Sequence, residues 1–102
     1  MHPLIESRKS QVAALCRDRG VRRLELFGSA ARSDFDPSSS DLDFLVDLGS
    51  DPGVSPLDAY FGLKDELEAL FHRPVDLVSV GSVRNPYVRA SIERDRQLVY
   101  VA

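Results

Sequence analysis

Residues 41–48, DLDFLVDL, constrain the fold more than any other stretch of the chain. Leu42, Phe44, Val46 and Leu48 alternate there with Asp41, Asp43, Leu45 and Asp47. Successive side chains of a strand point to opposite faces, so the pattern predicts a strand with one apolar face. Asp41 and Asp43 then share the other face, which is expected to look toward solvent, with Asp47 further along it. An apolar strand face must be buried against another layer, so the rest of the chain has to supply helices or further strands.

The remaining segments supply both. Leu4, Ile5, Val12, Ala13, Leu15 and Cys16 recur at helical spacing over 3–19, with Pro3 suited to the first turn and Gly20 to the residue past the end. A strand over 21–27 stops at Gly28. Residues 28–40, GSAARSDFDPSSS, form a small and polar connection with room for one helical turn. Residues 50–56 are dense in turn formers and read as a loop. An amphipathic helix follows over 57–71, with Asp58 in its first turn. A strand from Val75, a helix over 83–94 and a strand over 98–101 complete the chain. Strands separated by helices predict an α+β (α/β-type) fold, a small mixed sheet of about four strands with helices packed on it.

Composition sets the outer limits. With 102 residues the chain is expected to form a single domain, 1–102, without a second core. A hydrophobic share of 43% and a charged share of 28% fit a folded soluble domain and exclude a disordered chain. The net charge of −3 gives no footprint for direct nucleic-acid binding. The cations are nearly all Arg, with Lys only at 9 and 64; this suits forks to phosphate or carboxylate, and equally a GC-rich genome. No apolar run approaches the length of a membrane span, and the start of the chain carries no signal peptide. Cys16, the one cysteine, fits a helical core position and a reducing compartment. A cytoplasmic protein with no membrane association is expected.

The chemistry-bearing residues gather around the Asp strand. Nucleotidyl transfer needs a divalent cation, and Mg²⁺ is held by one or two carboxylates together with substrate phosphates. Two carboxylates at i and i+2 of one strand supply such ligands from a rigid element. A tight Gly-Ser turn after a strand lets backbone amides approach a triphosphate. Taken singly, an Asp-x-Asp pair is commonly a solvated face and Gly-Ser a simple turn. Here Leu26-Phe27-Gly28-Ser29 is followed, after eleven residues, by Asp41-Leu42-Asp43-Phe44. His2 and His72 have no Cys or His at zinc-ligand spacing and are assigned to the surface, and Ser38-Ser39-Ser40 carries no hydrolase signature.

This combination resembles the nucleotidyltransferase superfamily of the DNA polymerase β type, in particular its minimal nucleotidyltransferase (MNT) branch. The resemblance runs through Phe27-Gly28-Ser29-Ala30-Ala31-Arg32-Ser33-Asp34, then Ser40-Asp41-Leu42-Asp43, and closes at Ile92, Arg94 and Leu98-Val99-Tyr100. The gap between Ser29 and Asp41 is one residue longer than is usual for the branch. The resemblance implies that Asp41, Asp43 and Asp76 ligate one or two Mg²⁺ ions and carry catalysis. Asp76, whose alternative is a lone surface carboxylate on an edge strand, corresponds to the third acid. Gly28, Ser29, Arg32 and Ser40 are implied to bind the nucleotide. For Arg32 the alternative is an ion pair with Asp34 or Asp36.

The same resemblance implies AMP transfer from ATP to a protein hydroxyl, a tyrosine of a HEPN-type ribonuclease toxin. The chain would then act as the antitoxin of a HEPN–MNT toxin–antitoxin pair, in an oligomer with its partner. Two alternatives remain open: a non-catalytic antitoxin that neutralises its partner by complex formation, and a small-molecule nucleotidyltransferase. Tyr60 and Phe61 could face a partner or pack into the core.

Overall fold

The computed structural model describes residues 2–32, 36, 41–49 and 53–102. The helix expected over 3–19 is two helices, α1 (Pro3–Glu6) and α2 (Lys9–Asp18). The break has a local cause: the Ser7 hydroxyl donates to the Leu4 carbonyl at 3.1 Å, and the Arg8 amide bonds back three residues to Ile5. Serine offers the backbone such alternatives to a continuous helix. His2 caps α1, its Nδ1 accepting from the Leu4 amide at 3.1 Å. After α2 the chain turns at Gly20, φ +69°, which lets the Val21 amide reach the Cys16 carbonyl at 2.9 Å. This left-handed cap takes up Val21 and Arg22, so strand β1 runs Arg23–Phe27 rather than from 21.

A short 3₁₀ turn, Gly28–Ala30, follows β1. Strand β2 (Leu42–Asp47) leads into α3 (Pro56–Phe71) and β3 (Val75–Ser79). A second 3₁₀ turn, Val80–Ser82, precedes α4 (Pro86–Asp95) and β4 (Gln97–Val101). The sheet order is β3-β2-β1-β4, with β1 antiparallel to both β2 and β4 and β2 parallel to β3. The mixed α+β sheet expected from the sequence is therefore present, with α3 as the crossover between its parallel strands.

The two faces of the sheet differ. Leu24, Leu26, Leu42, Phe44 and Val46 bury one face against Ile5, Val12 and Cys16 from α1 and α2 and against Leu63, Leu67 and Phe71 of α3. Each such side chain contributes roughly 1.5–3 kcal/mol by leaving water. Cys16 is a core residue as expected, and burial pushes its thiol up to about 12. Tyr60 is half-buried with its hydroxyl donating to the Leu77 carbonyl at 2.5 Å, whereas Phe61 is exposed. The other face carries Arg23, Glu25, Phe27, Asp43, Leu45 and Asp76. It is not simply solvated, as the alternation suggested: Leu45 is buried with Phe27 beneath Ile92 of α4. Among the described residues no helix is long and apolar enough to cross a membrane.

Candidate active site

Strand register assembles the site. Phe27 lies directly across from Asp43, and Asp43 directly across from Asp76 on the parallel neighbour. The end of β1 and two carboxylates thus fall in one row across three strands. Gly28 is the next residue after Phe27, and its φ of +74° suits a residue without Cβ. There is a second reason for glycine here. A Cβ at this position would overlap the Asp43 carboxylate, with its Cγ only 3.0 Å away. The Gly28 carbonyl accepts from the Ala31 and Arg32 amides at 3.1 and 3.2 Å, which curls the turn tightly beside the acid. Ser29 is half-buried within that turn.

The electrostatics reflect crowding. Asp43 is half-buried, and its carboxyl is pushed up to about 6, first by burial and then by the charges of Asp76 and Asp41. The Arg32 guanidinium pulls it the other way. Three of the residues singled out in the sequence, Asp76, Asp41 and Arg32, therefore act through space on a fourth. Asp41 and Asp76 are exposed at the rim. Among the described residues no three acidic, imidazole or thiol groups already converge as a complete cation cage. Mg²⁺ does not require one, since phosphates and water complete its shell. Ser40, like Ser33 and Asp34, lies outside the described residues.

Arg32 reaches a partner that local spacing did not suggest. Its Nη1 lies 2.5 Å from Oδ2 of Asp95, the last residue of α4, which also accepts from Arg94 Nε at 3.2 Å. Desolvation would raise the Asp95 carboxyl, but hydrogen bonds from Arg94 and Arg32 outweigh it and hold the group below its ordinary value. The next two residues extend this junction. Arg96 forks onto Glu25 through Nε at 2.7 Å and Nη2 at 2.8 Å, and Gln97 Nε2 donates to the Ala31 carbonyl at 3.3 Å. Asp95, Arg96 and Gln97 thereby tie α4 and β4 to β1 and to the turn after it.

Glu25 is the functional-face residue that sequence reasoning missed. It is 3% exposed, and Arg23 Nε also donates to it at 2.8 Å. Burial pushes its carboxyl up, yet the hydrogen bonds from Arg96 and Arg23 prevail and hold it below the usual range. The signal lay in the alternation of RLELF, which puts Arg23, Glu25 and Phe27 on the face opposite Leu24 and Leu26.

Known proteins resemble this chain over most of its length. A candidate protein adenylyltransferase of Methanocaldococcus jannaschii is 40% identical over 81 residues, 79% of this chain and 76% of the relative. A candidate minimal nucleotidyltransferase of known structure superposes with a TM-score of 0.73 at 33% identity, covering 95% of each chain. The fold is also that of a chain in the complex of a tri-AMPylated HEPN toxin with an MNT antitoxin from Shewanella oneidensis. That match has a TM-score of 0.66 and 18% identity, over 96% of this chain and 73% of that one. The nucleotidyltransferase domain model matches residues 8–99, a span that holds the whole row from Gly28 through Asp43 to Asp76. The chain belongs to the nucleotidyltransferase domain family, in its minimal form.

Proposed function

We infer that the protein is a Mg²⁺-dependent nucleotidyltransferase that moves AMP from ATP to a hydroxyl of a partner protein. The acceptor in this reading is a tyrosine of a HEPN ribonuclease toxin, and the protein is its antitoxin in the cytoplasm. The observation that carries the reading is the Asp43 carboxylate, raised by burial and by its two acidic neighbours while packed against Gly28. Like charges held together are unfavourable by themselves and become favourable around a cation. The donors are hard carboxylate oxygens, which fit Mg²⁺, and Asp41, Asp43 and Asp76 would hold one ion or two. Bound there, the metal supplies charge neutralisation at the phosphates.

The chain's own groups do the positioning. Gly28 and Ser29 hold the β- and γ-phosphates, Arg32 adds a guanidinium fork, and Ser40 adds a contact to the nucleotide. A carboxylate oxygen of Asp76 takes the proton of the acceptor hydroxyl. The acceptor oxygen then bonds to the α-phosphorus, the bond from that phosphorus to the bridging oxygen breaks, and pyrophosphate leaves. Catalysis is orientation plus charge stabilisation. The relative named for protein adenylylation and the fold neighbour bound to an AMPylated toxin support the choice of acceptor.

The test is incubation with Mg²⁺, labelled ATP and the HEPN partner, read by intact-mass spectrometry. A gain of one or more AMP units on the partner, lost in the Asp41→Asn/Asp43→Asn protein, is the expected result. A stable complex without mass gain would instead establish a binding antitoxin. Failure to form any complex would favour a small-molecule acceptor.

A further inference from the structure

The chain has three tyrosines, and the fold treats one of them differently. Tyr60 is half-buried with its hydroxyl bound to the Leu77 carbonyl, and Tyr100 packs against the main core. Tyr87, in the first turn of α4, is 85% exposed. A tyrosine ordinarily lays its ring on apolar neighbours and keeps only its hydroxyl wet, so a ring that projects whole needs a reason. The projection is built into the helix start. Pro86 opens α4, and the Asn85 side chain accepts from the Tyr87 amide at 2.9 Å. Every residue from 84 to 90 is exposed, and α4 buries no side chain before Ile92.

The surroundings of Tyr87 are basic. Between Asp76 and Glu93 the chain holds no acid, while Arg84 and Arg89 stand exposed on either side of Tyr87. The opposite charge lies at the carboxylate row, where Asp41 and Asp76 are exposed at the rim and a bound triphosphate adds more. Tyr87 does not reach the row of its own chain. The residue of α4 that meets Arg32, beside Asp43, is Asp95 at the far end of the helix. Tyr87 lies eight positions before Asp95 in α4. That separation is about 12 Å along the helix axis. Val83, just ahead of α4, packs with Leu45, further along β2 than Asp43. A row and a tyrosine held apart within one chain can meet only between two chains, and their charges are complementary.

We propose that Tyr87 is itself an acceptor, modified with AMP at the carboxylate row of a second copy of this chain. The proposal rests on the nucleotidyltransferase reading and adds to it a substrate, a tyrosine projecting from an arginine-flanked helix start. The Tyr87 hydroxyl gives its proton to the Asp76 carboxylate of the other copy, and its oxygen bonds to the α-phosphorus of ATP. The bond from that phosphorus to the bridging oxygen breaks, and pyrophosphate leaves.

The experiment incubates the purified protein with Mg²⁺ and ATP, without and with the HEPN partner, and reads intact mass followed by peptide mapping. Without the partner, one AMP unit is expected on the chain itself, at Tyr87, with a rate per molecule that rises in proportion to protein concentration. Tyr87→Phe should lose this gain and still modify the partner, which reports an intact fold and site. Mixing tests the route: the Asp41→Asn/Asp43→Asn chain, which keeps Tyr87, should gain AMP from the Tyr87→Phe chain, which keeps the acids. Arg84→Glu reverses one flanking charge and should slow the gain about three- to tenfold, with the difference shrinking at high salt. Self-modification retained in Tyr87→Phe, or a rate independent of concentration, would overturn the assignment. An unmodified chain that still transfers AMP to the partner would also overturn it, and the nucleotidyltransferase reading would stand. Transfer to neither would remove that reading, and the proposal with it.

Discussion

One face of the sheet is made of residues that need only to be apolar, and the other of residues that need particular neighbours. Leu24, Leu26, Leu42, Phe44 and Val46 pack under three helices and carry no chemistry. Across the same strands, Asp43 stands in a crowd of like charge, Glu25 is buried between two arginines, and Leu45 with Phe27 forms a small apolar island under α4. The first face supplies stability, and the second spends part of it to hold acids together. Such conflict between local comfort and the global fold is expected where function resides.

The sharpest break of this comparison is the Asp41→Asn/Asp43→Asn protein. Transfer should fall by at least about 10²–10³-fold, the scale seen when a key charge-stabilising group is removed. Stability should move the opposite way. Because Asp43 is raised, the folded chain binds its proton more tightly than the unfolded chain does. Its contribution is most favourable at low pH and is lost as pH rises from its ordinary 3.8 through about 6. In magnesium-free buffer at pH 8, Asp43→Asn should therefore gain about 1–2 kcal/mol, after discounting for its partial exposure. Urea midpoints at pH 8 and below pH 4 check this: a gain at both values would mean that charge is not the cause.

On the apolar face the effect should be stability alone. Phe44 is fully buried, with its ring centroid 6.2 Å from that of Phe71, and Phe44→Ala should cost about 3–5 kcal/mol in a denaturant titration. Glu25→Gln lies on the other face and tests whether a buried charge there is structural. It leaves Arg96 and Arg23 without their carboxylate and should cost about 2–4 kcal/mol at neutral pH. Since the Glu25 carboxyl is held low, this penalty should shrink only as the wild type is acidified below the ordinary carboxylate range. A Glu25→Gln protein as stable as wild type would show that the Arg96 fork onto Glu25 adds nothing to the fold.

The two faces were also unequally legible in the sequence. Period-2 alternation in DLDFLVDL located β2 and paired Asp41 with Asp43, and helical spacing located α3 to within a residue. These signals are local and repeat several times. What sequence reading missed depends on single long-range contacts. Asp95 meets Arg32 across 63 positions, and Glu25 meets Arg96 across 71, so no window of sequence contains either pair. Leu45 looked like one apolar residue on a polar face, because only the return of α4 gives it a cover. The break at Ser7 was missed because a side-chain hydroxyl competing for one carbonyl leaves the apolar period intact.

The smallest expected effect concerns the long-range pair itself. Arg32 exerts its charge on Asp43 while its Nη1 is bound to Asp95, so the guanidinium is held near the carboxylate row from the far end of α4. Asp95→Asn keeps a carbonyl acceptor for Arg32 and removes the negative charge. If Asp95 orients Arg32 for the triphosphate, the KM for ATP should rise about two- to fivefold with kcat nearly constant, in keeping with the modest worth of partly solvated ion pairs. Arg32→Ala should raise KM by roughly tenfold or more, because a charged donor to phosphate is lost outright. In the double variant the two changes should not multiply, since Asp95 acts only through Arg32. Full multiplicativity would show that Asp95 matters for some other reason, such as its bond from Arg94, and would separate the α4 junction from nucleotide binding.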